Sequence, residues 1–253
     1  MASQPVYIFY AELDGFKPKI WRRFQVMNNI TVAKLGYILQ VLFEMTASHL
    51  MAFEVPWTKN LVTYFKSNNP DLPPDHSIFQ IEEKIFRYEI FSVGQYESLF
   101  DNDIRKNVEV EDAAETRLSH AVSIPESEFK FYYDFGDGWQ ISLILEKVLP
   151  GKDFDAKELP KVIEGANFGI VEDVGGIWGL TEFAEAYKKK KGTRYKEFCE
   201  WIGKTDFDIT AFDMDDLNFR LKKLPRIYKQ CYEDNLSPTQ ASIDLIERKY
   251  YRS

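Results

Sequence analysis

Two short segments of the chain combine carboxylates with glycines. The first, residues 133–139, has the sequence Tyr-Asp-Phe-Gly-Asp-Gly-Trp, with Asp134 and Asp137 at a tight turn and Trp139 directly after it. Carboxylates held in a turn could bind a cation or accept hydrogen bonds from a ligand, and the indole could stack on that ligand or exclude water. Alternatively, Asp137 only caps the turn, Asp134 faces solvent and Trp139 belongs to the core.

The second segment, residues 172–176, has the sequence Glu-Asp-Val-Gly-Gly. Glu172 and Asp173 could join Asp134 and Asp137 in one acidic cleft, where crowded carboxylates shift one another's pKa values apart. Such a cleft suits either a metal ion or proton transfer. The alternative is that Glu172 and Asp173 only satisfy backbone amides in an ordered loop. Catalysis has weak support, because neither a nucleophile nor a histidine partner accompanies these carboxylates.

Histidine and cysteine add few further ligands. His49 is the one histidine placed between well-defined elements and is a candidate ligand-binding residue, whereas His76 and His120 are not. Cys199 and Cys231 are the only cysteines, too few for a thiolate zinc site or a disulfide framework. The spacings HExxH, CxxC, GxSxG and GxxxxGK[ST] are absent, so metalloprotease, redox, hydrolase and P-loop chemistry lack sequence support.

A basic patch precedes these segments, at Lys17, Lys19, Arg22 and Arg23. Strand alternation places Arg23 with Trp21 on one face of a sheet and Arg22 on the other. Cations beside an aromatic ring can bind a phosphate, so a local nucleic-acid contact is one hypothesis. Buried ion pairs to carboxylates of the chain are the alternative.

Composition predicts a soluble globular protein. The 253 residues are 45% hydrophobic and 15% aromatic, which is enough for a sizeable core. Asp and Glu number 40 against 32 for Lys and Arg, and the net charge of -8 has the wrong sign for coating nucleic acid or an anionic membrane. The two cysteines, and a sequence without a signal peptide or an apolar span, predict a cytoplasmic protein without a membrane partner.

Hydrophobic periodicity predicts the elements that position the candidate residues. Apolar and β-branched runs at residues 6–13 and 20–26 predict an N-terminal hairpin. A helix capped by Thr31 and a strand at residues 51–55 complete a β-β-α-β unit. Residues 129–148 predict a second hairpin around the glycine turn. The side chains that share its predicted inward face are Phe129, Phe131, Tyr133 and Phe135.

Helical spacing predicts four helices in the C-terminal part of the chain. Two contain the apolar stripes at residues 180–187 and 195–202. A third begins at Asp213 and includes Leu224, and the last begins at Ser237. Strands followed by helices predict an α+β fold, in which a mainly antiparallel sheet packs against C-terminal helices.

We predict one domain over residues 1–225. In it, residues 58 to about 128 show weak periodicity and are interpreted as an elaboration of the core. Residues 226–253 are interpreted as a C-terminal helical extension. The sequence contains neither an internal repeat nor a Gly/Ser linker that would indicate a second domain.

Five segments, in this order, resemble the plasmid pRiA4b ORF-3-like proteins, a family of plasmids and insertion elements. They are Lys17–Arg23, His49-Leu50 leading to Phe53, Tyr133–Trp139, Glu172–Gly176, and Phe212-Asp213 leading to Asn218 and Leu221. The resemblance spans roughly residues 5 to 225 and implies an α+β fold in a mobile-element protein. It implies no established activity.

The chain departs from that family at positions that could bind metal. Relatives usually have a histidine where this chain has Ile141, often cysteines where it has Val162 and Gly169, and a proline pair in place of Ile170-Val171. If relatives bind metal through those groups, the resemblance implies that this chain retains only oxygen donors. Oxygen donors would restrict it to hard cations such as magnesium or calcium.

The leading hypothesis is a cytoplasmic, non-enzymatic binding or accessory protein. A protein partner would lie in the cleft between the turn at residues 134–139 and the loop at residues 172–176. One alternative is a metal-dependent hydrolase or phosphoryl-transfer enzyme that holds Mg²⁺, Mn²⁺ or Ca²⁺ on Asp134, Asp137, Glu172 and Asp173. The other is nucleic-acid binding through the basic patch. No cofactor besides such a cation is predicted.

Overall fold

A computed structural model describes residues 4–91 and 106–250 of the chain. In these ranges the chain forms eight strands and eight α-helices, and the predicted α+β architecture is confirmed. The strands are β1 (Val6–Leu13), β2 (Trp21–Met27), β3 (Met51–Val55), β4 (Ile85–Glu89), β5 (Val108–Asp112), β6 (Glu128–Tyr133), β7 (Trp139–Leu149) and β8 (Lys161–Ala166). The helices are α1 (Val32–Leu42), α2 (Trp57–Asn68), α3 (Leu118–Ala121), α4 (Gly176–Lys189), α5 (Thr193–Ile202), α6 (Met214–Leu221), α7 (Leu224–Tyr232) and α8 (Gln240–Ile246).

The described strands form one sheet in the order β5-β4-β3-β6-β7-β1-β2-β8. Neighbouring strands are antiparallel, except that β4 and β5 are parallel. Both predicted hairpins are present, and pairing of β1 with β7 joins them. Strands β4 and β5 come from the segment interpreted as an elaboration and extend the sheet at one edge. Strand β8, which periodicity did not predict, forms the other edge.

The main core lies between the sheet and α1. Thr31 caps α1 as predicted, since its side chain accepts a hydrogen bond from the Lys34 amide at 3.2 Å. Every residue of α1 except Lys34 is buried, because the helix has the sheet on one side and α6 and α7 on another. Core side chains from the sheet include Phe9, Phe24, Phe53, Phe131, Ile141 and Leu143. None of the helices described is long and apolar enough to cross a membrane.

The C-terminal helices differ from prediction at two places. The single helix expected from Asp213 through Leu224 is two helices, with a break at Lys222 and Lys223. Pro225 explains the break, since proline lacks an amide hydrogen and is accommodated in the first turn of a new helix. The last helix is capped by Thr239 instead of Ser237, with the Thr239 hydroxyl accepting from the Ser242 amide at 3.3 Å.

A buried arginine joins β2 to the ends of α1 and β8. The Arg22 guanidinium donates to the carbonyl oxygens of Leu42 at 2.9 Å, of Trp21 and Ala166 at 2.8 Å, and of Phe168. The rings of Phe43 and Phe212 lie 5.4 and 4.8 Å from it. Burial lowers the pKa of Arg22 to about 10, against the opposing charge of Glu44, so the side chain stays protonated at neutral pH. Backbone carbonyls therefore satisfy Arg22, in place of the carboxylate that the sequence suggested.

We expect Arg22→Met to destabilise the protein by about 3 kcal/mol or more, because buried carbonyl oxygens lose their donors. Arg23→Met is the matched control. Arg23 is its neighbour on β2 and lies on the partly exposed face, where it pairs with Glu146 and Glu164. Loss of such pairs costs about 1 kcal/mol or less. Urea unfolding of both variants measures their free energies of unfolding. Equal losses of stability in the two variants would contradict this role of Arg22.

Candidate functional site

Three segments meet at one end of the sheet. They are the loop at residues 43–50 between α1 and β3, the turn at residues 134–138 between β6 and β7, and the loop at residues 171–175 before α4. The pairing of Met51 with Tyr133, and of Tyr133 with Trp139, brings the first two segments side by side. The third segment approaches the second through the amide of Gly175, which donates to Asp137 Oδ2 at 3.1 Å.

The imidazole of His49 lies among three carboxylates. His49 Nδ1 is 3.7 Å from Asp134 Oδ1, and His49 Nε2 is 3.4 Å from Asp173 Oδ1 and 3.8 Å from Glu172 Oε2. One ligand atom from each of His49, Asp134 and Asp173 lies within 4.8 Å of the others. The structure thus brings together three of the four candidate carboxylates and adds His49 to them.

Asp134 reaches this cluster because β6 ends at Tyr133. Asp134 has φ of 52°, its amide donates to the Leu50 carbonyl at 3.0 Å, and its Oδ1 accepts from the Gly136 amide at 3.0 Å. This left-handed turn buries Asp134 and leaves Phe135 39% exposed. The prediction that Phe135 shares the face of Tyr133 is therefore wrong, because the strand and its alternation end at Tyr133.

Glu172 is fixed by hydrogen bonds to one carboxylate oxygen, whereas its other oxygen accepts none from the described residues. Its Oε1 accepts from the Thr46 amide at 2.7 Å, the Thr46 hydroxyl at 3.0 Å and the Tyr133 hydroxyl at 2.8 Å. Burial, together with the charge of Glu172, raises the pKa of Tyr133, so the phenol remains a donor. Within the described part of the chain, Glu172 Oε2 is buried without a hydrogen-bond partner. A buried acceptor of this kind destabilises the folded state unless a hydrogen-bond donor or a cation binds to it.

Asp137 and Trp139 lie apart from the cluster. Asp137 accepts the hydrogen bond from Gly175 and so ties the turn to the loop. Gly176 packs so closely on Asp137 that a Cβ atom there would lie 2.4 Å from the Asp137 carbonyl oxygen. Gly176 also has φ of 66°, and both constraints require glycine. Trp139 is buried in the core, so it does not line the cleft.

Within the described ranges, the carboxylates of the cluster have no neutralising lysine or arginine. Among residues 4–91 and 106–250, His49 is the only basic side chain in ion-pair range of Asp134, Glu172 or Asp173. Elsewhere the chain pairs buried carboxylates with arginine: Glu44 contacts Arg220 and Arg248. The cluster therefore has excess negative charge that favours a bound cation.

The predicted basic patch is dispersed. Arg22 is buried, Arg23 pairs with Glu146 and Glu164, and Lys19 pairs with Glu12 at 2.7 Å. Lys17 is exposed. Three of these four cations are already satisfied by groups of the chain, so the patch gives no support to a nucleic-acid contact.

Sequence analysis missed Thr46 and Tyr133 as supports of Glu172. Tyr133 lies on the inward face of β6, where a tyrosine has the appearance of a core residue. The one available signal was that a buried tyrosine hydroxyl usually finds a hydrogen-bond partner. Thr46 belongs to an irregular loop and gave no signal.

Comparison with known proteins places the fold in an existing family of unknown function. Protein y4hQ of Sinorhizobium fredii (strain NBRC 101917 / NGR234), described as uncharacterized, is 38% identical over 101 residues, which are 40% of this chain and 50% of that protein. The chain thus spans about half the length of this relative. The crystal structure of MM3350 from Methanosarcina mazei Go1, a protein of unknown function, matches with a TM-score of 0.61 and 26% identity. The match covers 85% of this chain and 98% of that one.

The family model described as plasmid pRiA4b ORF-3-like protein matches residues 5–216. This range contains all the residues of the His49 cluster. The resemblance noted in the sequence is thereby confirmed, and the chain belongs to the plasmid pRiA4b ORF-3-like protein family.

Proposed function

We propose that this chain is a divalent-cation-binding protein. The cation ligands are His49, Asp134 and Asp173, and Glu172 Oε2 is a further donor beside them. The observation that carries the proposal is the excess charge: three carboxylates surround one imidazole without a lysine or arginine partner among the described residues. Glu172 Oε2, which is buried without a hydrogen bond from any described residue, adds to this support.

The separations between ligand atoms support a small cation. Ligands that lie 2.0–2.2 Å from a tetrahedral zinc ion are about 3.4 Å from one another. His49 Nε2 and Asp173 Oδ1 already lie 3.4 Å apart, and one ligand atom each from His49, Asp134 and Asp173 lie within 4.8 Å of one another. Cation binding would therefore draw the three segments together. Because the ligands come from three separate segments, the cation would also stabilise the folded chain.

The imidazole changes which metal is expected. The family resemblance implied only oxygen donors and hence hard cations such as magnesium or calcium, and the enzymatic alternative named Mg²⁺, Mn²⁺ or Ca²⁺. With a histidine nitrogen in the ligand set, a first-row transition metal such as Mn²⁺ or Zn²⁺ is the better match. Asp137 is not a ligand in this proposal, because it lies outside the group of His49, Asp134 and Asp173 whose ligand atoms are within 4.8 Å of one another, and it ties the turn to Gly175 instead.

The proposal retains the hypothesis of a non-enzymatic binding protein in the cytoplasm. Exposed apolar side chains lie near the cluster in sequence: Leu50 follows His49 and is 50% exposed, and Trp178, in the first turn of α4, is 88% exposed. Such residues support a protein partner at this face. Cys199 and Cys231 are free thiols, which fits a reducing compartment, and the family description is the support for a plasmid setting.

Calorimetric titration and thermal melting test the cation site directly. We expect Mn²⁺ and Zn²⁺ to bind more tightly than Mg²⁺ and Ca²⁺. At a free concentration one hundred times the Kd, linkage stabilises the fold by about 2.7 kcal/mol, which raises the Tm by roughly 5–10 °C. If none of the four ions gives heat or a melting shift at millimolar concentration, the proposal is wrong. Tighter binding of Mg²⁺ or Ca²⁺ would exclude His49 as a ligand.

Substitution of single ligands tests which residues bind. Asp173→Asn is the sharpest variant, because the Asp173 side chain is 71% exposed and we expect the substitution to leave the fold intact. We expect Asp173→Asn and His49→Gln each to weaken Mn²⁺ binding at least tenfold. Asp137→Asn is the matched control, since the amide oxygen can still accept from Gly175. The Mn²⁺ affinity of Asp137→Asn should equal that of the wild type. A loss of affinity as large as that of Asp173→Asn would show that the ligands are assigned to the wrong carboxylates.

A further inference from the structure

The loop that carries His49 is held by the C-terminal part of the chain. Tyr232 of α7 donates its hydroxyl to the carbonyl oxygen of His49, and Tyr228, one turn earlier, donates to the carbonyl oxygen of Met45 at 2.8 Å. Both tyrosines lie beyond residue 216, where the match to the family model ends. Part of the support for this loop therefore comes from outside the matched region.

The ring of Tyr232 is itself fixed in place. It stacks on Tyr37 of α1 with ring centroids 5.5 Å apart and an interplanar angle of 16°. The Tyr37 hydroxyl in turn donates to Glu233, the residue after Tyr232, at 3.0 Å. Burial raises the pKa of Tyr232, so its phenol stays protonated and available as a donor.

A second contact anchors the start of the same loop. Glu44 accepts from Arg220 Nη1 at 2.7 Å and from Arg248 Nη1 and Nη2 at 2.7 and 2.6 Å. The loop is thus bound to C-terminal residues at Glu44, Met45 and His49. Of these three contacts, only the one from Tyr232 acts on the peptide unit of a residue in the cluster.

We propose that Tyr232 is a positioning residue for the cation site. By fixing the carbonyl group of His49, its hydroxyl fixes the backbone from which the imidazole extends toward Asp134 and Asp173. The C-terminal extension thereby sets the affinity of a site whose ligands all lie in the region matched to the family. This inference rests on the proposed cation-binding function.

Tyr232→Phe tests the inference, because it removes the hydroxyl and retains the ring that stacks on Tyr37. Tyr187→Phe is the matched control. Tyr187 is also a buried tyrosine whose hydroxyl donates to a loop carbonyl, that of Lys204 at 2.7 Å, but this contact lies outside the His49 loop. Titration with Mn²⁺ gives the affinity of each variant, and hydrogen exchange followed by mass spectrometry gives the protection of amides 44–50.

We expect Tyr232→Phe to weaken Mn²⁺ binding roughly three- to tenfold, the effect of one net hydrogen bond, and to speed amide exchange in residues 44–50. Tyr187→Phe should leave both quantities at wild-type values. Unchanged exchange in Tyr232→Phe, or faster exchange with unchanged affinity, would overturn the positioning role. If the wild-type chain binds Zn²⁺ and not Mn²⁺, the same titrations are made with Zn²⁺. If it binds none of Mn²⁺, Zn²⁺, Mg²⁺ and Ca²⁺, the cation-binding function itself fails, and exchange still decides whether Tyr232 orders the loop.

Discussion

The buried guanidinium of Arg22 is the interaction on which the arrangement of the candidate site depends. It donates to Leu42, the last residue of α1, and to Phe168, beyond the end of β8. From Leu42 the chain continues to His49, and from Phe168 it continues to Glu172. A buried guanidinium must have its donors satisfied, so the fold holds these two carbonyls at one point. Both ligand-bearing loops therefore start from positions that a single side chain defines.

The buried carboxylates of the chain differ in their basic partners. Glu44 and Asp216 each contact Arg248, at 2.6 Å, and this pairing joins the C-terminal residues to the rest of the fold. Asp134 and Glu172 are also largely enclosed, yet the His49 imidazole is the only basic group among the described residues within ion-pair range of them. Because an isolated buried carboxylate is unfavourable, pairing with arginine is typical of a structural role. The absence of such a partner among the described residues sets the His49 cluster apart.

Family membership and geometry contribute different information. The matched relatives are described as uncharacterized or of unknown function, so they establish the fold and supply no chemistry. The chemistry follows from distances between side chains of this chain. The cluster lies within residues 5–216, whereas Tyr228, Tyr232 and Arg248, which hold the His49 loop, lie beyond them. The ligands thus lie within the matched region, and part of what holds the His49 loop lies beyond it.

Local hydrophobic periodicity was sufficient to predict the fold class. The alternation in β1, β2, β6 and β7 and the helical stripe of α1 predict their own elements, because burial of one face imposes a period of two on a strand and 3.6 on a helix. The edge strand β8 was missed, and the helix expected through Leu224 was two helices. Whether residues 226–253 form a separate extension stays a prediction, although α7 spans residue 225.

The site was only partly predictable. Its two glycine segments were recognisable from sequence, because turn chemistry is local, and Asp134, Glu172, Asp173 and His49 were all candidates. Tertiary structure decided that His49 joins the carboxylates, that Asp137 ties two loops instead, that Trp139 and Arg22 are buried, and that Phe135 is exposed. These outcomes depend on φ at Asp134 and on contacts between segments far apart in sequence. Periodicity cannot encode them, since it records only which face of an element is buried and not what that face meets.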